Sequence, residues 1–172
     1  MTSGGAAYCW GFDSTGALGN GATVLRTSPT AVAGGLTFAS ITAGTHHACA
    51  LTASGAAYCW GYTGLGGVGD GTGLIRLSPV PVLGALNFAK VSAGGNHSCA
   101  LTSAGVAYCW GTNFIGQLGD GTTTSRMSPV LVAGGLGFAQ VSAGGSHTCG
   151  VTTAGAAYCW GFNYDGQLGD GT

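Results

Sequence analysis

The sequence predicts an all-β protein built from tandem units of fifty residues. Three observations carry this: a period of fifty without drift, hairpin-forming segments at the same phase of each period, and no segment with a sustained helical period. YCWG begins at Tyr8, Tyr58, Tyr108 and Tyr158; Ser-Pro recurs at Ser28, Ser78 and Ser128; His-x-Cys recurs at His47, His97 and His147. Such regularity leaves no room for an independent domain. Counted from Ile41, the chain divides into a partial unit (1–40), two full units (41–90 and 91–140) and a second partial unit (141–172), about 3.4 units in 172 residues.

Within the first full unit, ITAGTHHACALT (Ile41 to Thr52) alternates small or apolar residues with polar ones, and AAYCWGY (Ala56 to Tyr62) is rich in aromatics. Both read as strands. Ala53-Ser54-Gly55 joins them as a three-residue loop whose glycine supplies a left-handed position. Closing the hairpin at Thr52 opposite Ala56 places Leu51 opposite Ala57, Ala50 opposite Tyr58 and Cys49 opposite Cys59. Opposed Cα atoms lie about 4.5–5.5 Å apart, inside the range of about 4.4–6.8 Å that a disulfide spans. The register therefore predicts Cys49–Cys59, Cys99–Cys109 and Cys149–Cys159, which belong to an oxidising compartment. Cys9 is left over, its expected partner falling two residues before Met1.

After each YCWG comes a Gly-rich stretch ending in Gly-Asp-Gly-Thr at Gly69, Gly119 and Gly169, with Asn20 in place of Asp in the first unit; this is a turn signal. RxSPVxV, as in Arg126 to Val132, supplies an extended segment that starts at a proline, and GLxFAxVSAG leads into the next hairpin. Roughly four short strands per unit is the count of a β-propeller blade.

Composition narrows the function. Charged residues are 5% of the chain, against about 25% in ordinary globular proteins. Four Lys/Arg against five Asp/Glu leave no basic stripe, so a phosphate-dominated nucleic-acid partner has no electrostatic support. No run of eighteen apolar residues exists, and no membrane insertion is expected. Gly plus Pro amounts to 40 of 172 residues (36 and 4), which with 45% hydrophobic residues describes a folded, turn-rich chain.

Two motifs resemble the regulator of chromosome condensation repeats. VSAGGNHSCAL (Val91 to Leu101) is close to the family's small-small-Gly-x-x-His signature, and WGTNFIGQLGDGT (Trp110 to Thr122) recurs as WGFNYDGQLGDGT (Trp160 to Thr172). The likeness covers essentially the whole chain and implies a seven-bladed β-propeller, present here in part. The departures are Cys49, Cys99 and Cys149 where the signature expects an aliphatic residue, and the divergent loops WGFDSTGALGNG and WGYTGLGGVGDG. The paired cysteines look like a secreted variant, extracellular or displayed at a cell surface. MTSGG shows no signal peptide, so an export signal is expected upstream, with the missing blades supplied by a longer chain. Two identical copies total 344 residues, near seven units of fifty, but their ends do not mesh into a seamless ring.

No cofactor, metal or catalytic residue is expected. Equivalent histidines on successive blades lie on a circle around the propeller axis, too far apart to share an ion with bonds of about 2 Å, and each is expected to hydrogen-bond inside its own blade. Three or four identical His-Cys catalytic sites are improbable, and the register already occupies six of the seven thiols. Gly-Asp-Gly-Thr lacks the spaced acidic ligands of a calcium loop and the Gly-Lys-Ser/Thr of a phosphate loop. Arg26, Arg76 and Arg126 follow it by six residues and are expected to pair locally with Asp or with carbonyls.

Positions common to every unit serve pairing and stacking, so recognition is assigned to positions where units differ: Phe12 to Thr15, Tyr62 to Leu65, Thr112 to Ile115 and Phe162 to Asp165, with a second set at Val24 and Leu25, Leu74 and Ile75, Thr124 and Ser125. The candidate binding residues are Phe12, Tyr62, Phe114, Ile115, Phe162 and Tyr164. The expected function is non-catalytic protein binding, as in the family's secreted bacterial inhibitor that grips a β-lactamase. Alternatives are nucleotide exchange on a small GTPase, implied by the family's nuclear founder, and carbohydrate binding by the aromatic tips.

Overall fold

The computed structural model describes residues 1–62 and 64–172; Thr63, within the variable stretch Tyr62 to Leu65, lies outside the described residues. Among the described residues the chain forms thirteen strands and no helix. The first partial unit contributes β1 (Tyr8–Gly11) and β2 (Arg26–Ala31), paired antiparallel. The two full units form four-stranded antiparallel sheets in chain order: β3 (Ser40–Ala43), β4 (His47–Leu51), β5 (Ala57–Gly61) and β6 (Arg76–Pro81), then β7 (Lys90–Ala93), β8 (His97–Leu101), β9 (Ala107–Gly111) and β10 (Arg126–Leu131). A three-stranded sheet follows, of β11 (Phe138–Ala143), β12 (His147–Thr152) and β13 (Ala157–Gly161). These are the blades of a partial propeller. β3 neighbours β7 and β7 neighbours β11, which places the first strand of each blade along the shared inner edge.

The hairpin register is the one the three-residue turn dictates, Leu51 opposite Ala57, Ala50 opposite Tyr58 and Cys49 opposite Cys59. Gly55 takes φ +84° and its N–H donates to Thr52 O at 2.9 Å. The register repeats at Cys99–Cys109 and Cys149–Cys159, and each pair is bridged across Cα atoms 4.1 Å apart. Cys9, on β1 at the phase of Cys59, is free, and burial raises the pKa of its thiol.

Two expectations are corrected. Ile41 to Thr52 is two strands and not one: the chain reverses at Gly44, whose N–H donates to His47 O at 2.8 Å. The outer segment begins at Arg76 or Arg126, three residues before its proline. A proline fits there because β6 and β10 are outermost in their sheets, where a missing N–H removes no ladder bond, and the register with β9 shifts between Arg126 and Val130.

The core lies between sheets. All five residues of β4 and all five of β8 are buried, because neighbouring blades cover both faces; alternation therefore disappears in them. Trp60 and Trp110 are wholly buried beside Phe38 and Phe88, with ring centroids 6.0 and 6.1 Å apart. Each indole N–H crosses to the preceding repeat, Trp60 to Ala17 O and Trp110 to Gly67 O, both at 2.9 Å, and Trp160 to Gln117 O at 3.1 Å. A Cβ at Gly69 would stand 2.6 Å from the Trp110 indole nitrogen, so only glycine lets the preceding loop close over this ring.

Candidate functional site

One face of the propeller gathers the variable positions. The loops after β1, β5, β9 and β13 leave from the same end of the sheets as the turns between inner strands: Tyr62 N–H donates to His46 O, Thr112 N–H to Asn96 O and Phe162 N–H to Ser146 O, at 2.9–3.0 Å. The β4–β5 type of hairpin occupies the opposite end, with Phe88 N–H bonded to Gly55 O at 2.8 Å.

The loop after β9 rides on a buried polar knot, and Asn163 makes matching but exposed bonds in the loop after β13. In the second full unit Asn113 is wholly buried; its Oδ1 accepts Leu118 N–H at 2.9 Å, and its Nδ2 donates to Asp120 Oδ1, Thr122 O and Thr124 O at 3.0–3.1 Å. Asp120 accepts Thr122 N–H and its hydroxyl on Oδ1 and Arg126 Nε–H on Oδ2. Burial alone would raise the pKa of Asp120, but the Thr122 hydroxyl, Arg126 and the Thr122 N–H outweigh it and hold the carboxyl below its ordinary value. Asp70 is held low in the same way by Thr72 and Arg76. The expected arginine pairing therefore occurs for Arg76 and Arg126. Arg26 departs from it, and its buried Nε has no partner, because Asn20 supplies no carboxylate.

The loop tips stand in solvent. Phe12 is 70% exposed, Phe114 67% and Tyr164 88%; Tyr62 and Ile115 are exposed to a lesser degree. Phe162 is half-buried and stacks on Tyr164, centroids 6.3 Å apart at 21°. Among the described residues this is the one ring contact within the candidate set, the other aromatics standing on separate blades. The second variable set widens the face, since Val24, Leu25, Leu74 and Ile75 are all exposed. Bonds from Asn113 to Thr124 O and Ser125 Oγ show that both loop segments share one end of the blade. Thr15, His46, Tyr62, Gly64 and Asn96 line a cleft of about 350 Å³ between blades on this face. Of these, Tyr62 is a candidate binding residue and Thr15 and Gly64 belong to the variable stretches, while His46 and Asn96 lie outside both; the signal that could have found these two is that their position, too, differs between units, being Ser146 in the third.

The histidines correct another expectation. Their bonds run to the next blade and not within their own: His47 Nε2 lies 2.7 Å from Ser98 Oγ, and His97 Nε2 2.8 Å from Thr148 Oγ1. Each hydroxyl spends its hydrogen on a carbonyl, Gly67 O at 2.9 Å and Gln117 O at 2.8 Å, so each imidazole must donate from Nε2. Those carbonyls also receive the Trp110 and Trp160 indoles. Histidine, hydroxyl, carbonyl and tryptophan thus form a buried bridge at each of these two blade boundaries. Burial, followed by the neighbouring imidazoles, lowers the pKa of His47 to about 3, and burial followed by His147 lowers that of His97 to about 4.

Comparison with known proteins agrees with this architecture. The Regulator of chromosome condensation (RCC1) repeat matches at residues 4–51, 54–101 and 104–151, and a second description of the repeat at 38–66, 88–117 and 138–167. No curated protein matches the chain. Among solved structures, human WBSCR16 is 22% identical with a TM-score of 0.89, over 100% of this chain and 47% of that one. Yeast RCC1 (Prp20), solved with Kap60 bound to it, is 24% identical with a TM-score of 0.77, over 92% of this chain and 40% of that one. The ectodomain of the Physcomitrella patens receptor kinase CR4 is 24% identical with a TM-score of 0.60, over 94% and 37%. The chain spans less than half the length of each of these, and at such identities they establish a shared fold. With three matches covering most of its length, the chain belongs to the regulator of chromosome condensation (RCC1) repeat family.

Proposed function

We propose that the chain is a non-catalytic binding scaffold whose variable loop face engages a protein partner in an oxidising, extracellular or cell-surface setting. The observation that carries this reading is the run of exposed Phe12, Phe114, Tyr164, Val24, Leu25, Leu74 and Ile75 at positions where the units differ. Aromatic anchors on a rigid frame lose little entropy on binding and dominate interface energetics. The two arginines of the full units are paired within their own loops, so the surface suits an apolar, weakly charged patch on the partner. Three cystines are compatible with such a location. Yeast RCC1 with Kap60 bound and the CR4 ectodomain are precedents for protein binding and for an ectodomain on this fold. A guanine nucleotide exchange role has fold analogy alone behind it.

The test uses the oxidised chain as bait beside the triple variant Phe12→Ala/Phe114→Ala/Tyr164→Ala. A protein that binds the wild type and loses at least about tenfold in affinity for the variant supports the proposal. Equal affinity for both, or acceleration of nucleotide release from a small GTPase that the variant retains, contradicts it.

A further inference from the structure

The chain holds five asparagines, and one of them opens an Asn-x-Ser/Thr triplet, Asn96-His97-Ser98. Two residues after Asn20, Asn87, Asn113 and Asn163 stand Ala22, Ala89, Ile115 and Asp165, so the triplet occurs once. It arises because the second full unit combines an amide at this phase with a hydroxyl two residues later. The units on either side read His46-His47-Ala48 and Ser146-His147-Thr148. Such a triplet is the acceptor sequence for an N-linked glycan in an exported chain, provided that the amide reaches solvent.

The fold meets that condition at Asn96. From Ala93 to Leu101 it is the one exposed residue, the other eight being buried. It stands at the apex of the turn between β7 and β8, which Gly94 N–H closes by donating to His97 O at 2.9 Å. The Asn96 carbonyl accepts Thr112 N–H at 2.9 Å, while its side-chain amide makes no hydrogen bond among the described residues, so the fold needs nothing that a glycan displaces. Ser98 is the reverse. It is wholly buried, its Oγ accepting from His47 Nε2 at 2.7 Å and donating to Gly67 O at 2.9 Å. No transferase can reach that hydroxyl in the folded chain, so the triplet is read before this blade closes.

We propose that Asn96 is an N-glycosylation site, modified on the unfolded chain during export; this rests on the oxidising, extracellular setting proposed above. In the transfer, Asn96 Nδ2 bonds to the anomeric carbon of an oligosaccharide carried on a polyprenyl pyrophosphate. The bond from that carbon to the pyrophosphate oxygen breaks, one amide proton is lost, and the lipid pyrophosphate leaves. Asn96 lines the cleft of about 350 Å³ with Thr15, His46, Tyr62 and Gly64. The glycan therefore stands at that cleft and restricts a partner to the rest of the variable face.

The test translates the whole chain behind a cleavable export leader in the presence of endoplasmic-reticulum microsomes. The mass of the translocated product is measured before and after treatment with a peptide-N-glycosidase. One glycan per chain is expected, its removal leaving an acid at position 96, and Asn96→Gln is expected to carry none. Ser98→Thr is expected to keep the glycan and the fold, since Thr148 fills the same place in the next unit and bonds to His97. The chain folded and oxidised beforehand is expected to stay unmodified by detergent-opened microsomes that modify an unfolded acceptor peptide. A translocated wild-type chain without a glycan, a glycan retained by Asn96→Gln, or modification of the prefolded chain overturns the proposal. A glycan-free product that still forms its three cystines leaves the oxidising setting standing, and aromatic variants that lose a partner leave the glycan in place, so the two proposals fail separately.

Discussion

Replacing Trp110 with alanine is expected to destabilise the chain by about 3–5 kcal/mol, the usual cost of emptying a buried aromatic site. The ring is wholly buried at the boundary between the two full blades, and its N–H shares Gly67 O with the Ser98 hydroxyl. In a domain of this size the loss corresponds to roughly 10 °C in melting temperature. Trp10 occupies the same phase of the same YCWG motif and is 60% exposed, so Trp10→Ala is expected to cost less than about 1 kcal/mol. Urea unfolding of the two variants measures the contrast. Equal costs would mean that the indole stabilises its own strand and not the seam between blades.

Mild acid is the second large effect. His47 and His97 titrate near 3 and 4 in the folded chain, against 6.5 for a free imidazole. Folded pKa values below the unfolded ones mean that the unfolded chain binds more protons between these limits, so stability is complete above pH 6.5 and is lost as pH falls toward 4 and 3. Each histidine contributes a slope of up to about 1.4 kcal/mol per pH unit, and together they remove on the order of 5 kcal/mol between pH 7 and pH 4.5. The physical reason is the tautomer: Nε2–H already donates to a hydroxyl, so a further proton must go to a buried Nδ1 that has no partner. His97→Gln keeps a donor for Thr148 and removes the titration, so it is expected to halve the slope of stability against pH. A slope unchanged in this variant would mean that other groups drive acid unfolding.

The sequence carries the hairpin register in full, because a three-residue turn leaves Cys49 no partner on the opposite strand except Cys59. It hides the break at Gly44, since the mixture of small, apolar and polar residues from Ile41 to Thr52 continues across the turn without a marked change of pattern. The histidine bonds are hidden for another reason. A fifty-residue period identifies equivalent residues but does not say whether a side chain is completed by its own unit or by the next, and His47 is completed by Ser98, fifty-one residues away. Ala48 holds the position of Ser98 in the preceding unit, so even the bridge is not common to every blade. At the loops, the sequence marks where units differ but not which side chains the fold leaves free: Phe162 leans on Tyr164, whereas Phe12 and Phe114 stand in solvent.

The account rests on blades that are each clipped across their central hairpin. Peptide mapping of the oxidised, unreduced protein by mass spectrometry tests this directly. The expected linkages are Cys49–Cys59, Cys99–Cys109 and Cys149–Cys159, with Cys9 as a free thiol. A linkage joining cysteines of different units, such as Cys59 to Cys99, would contradict both the register and the blade architecture built on it.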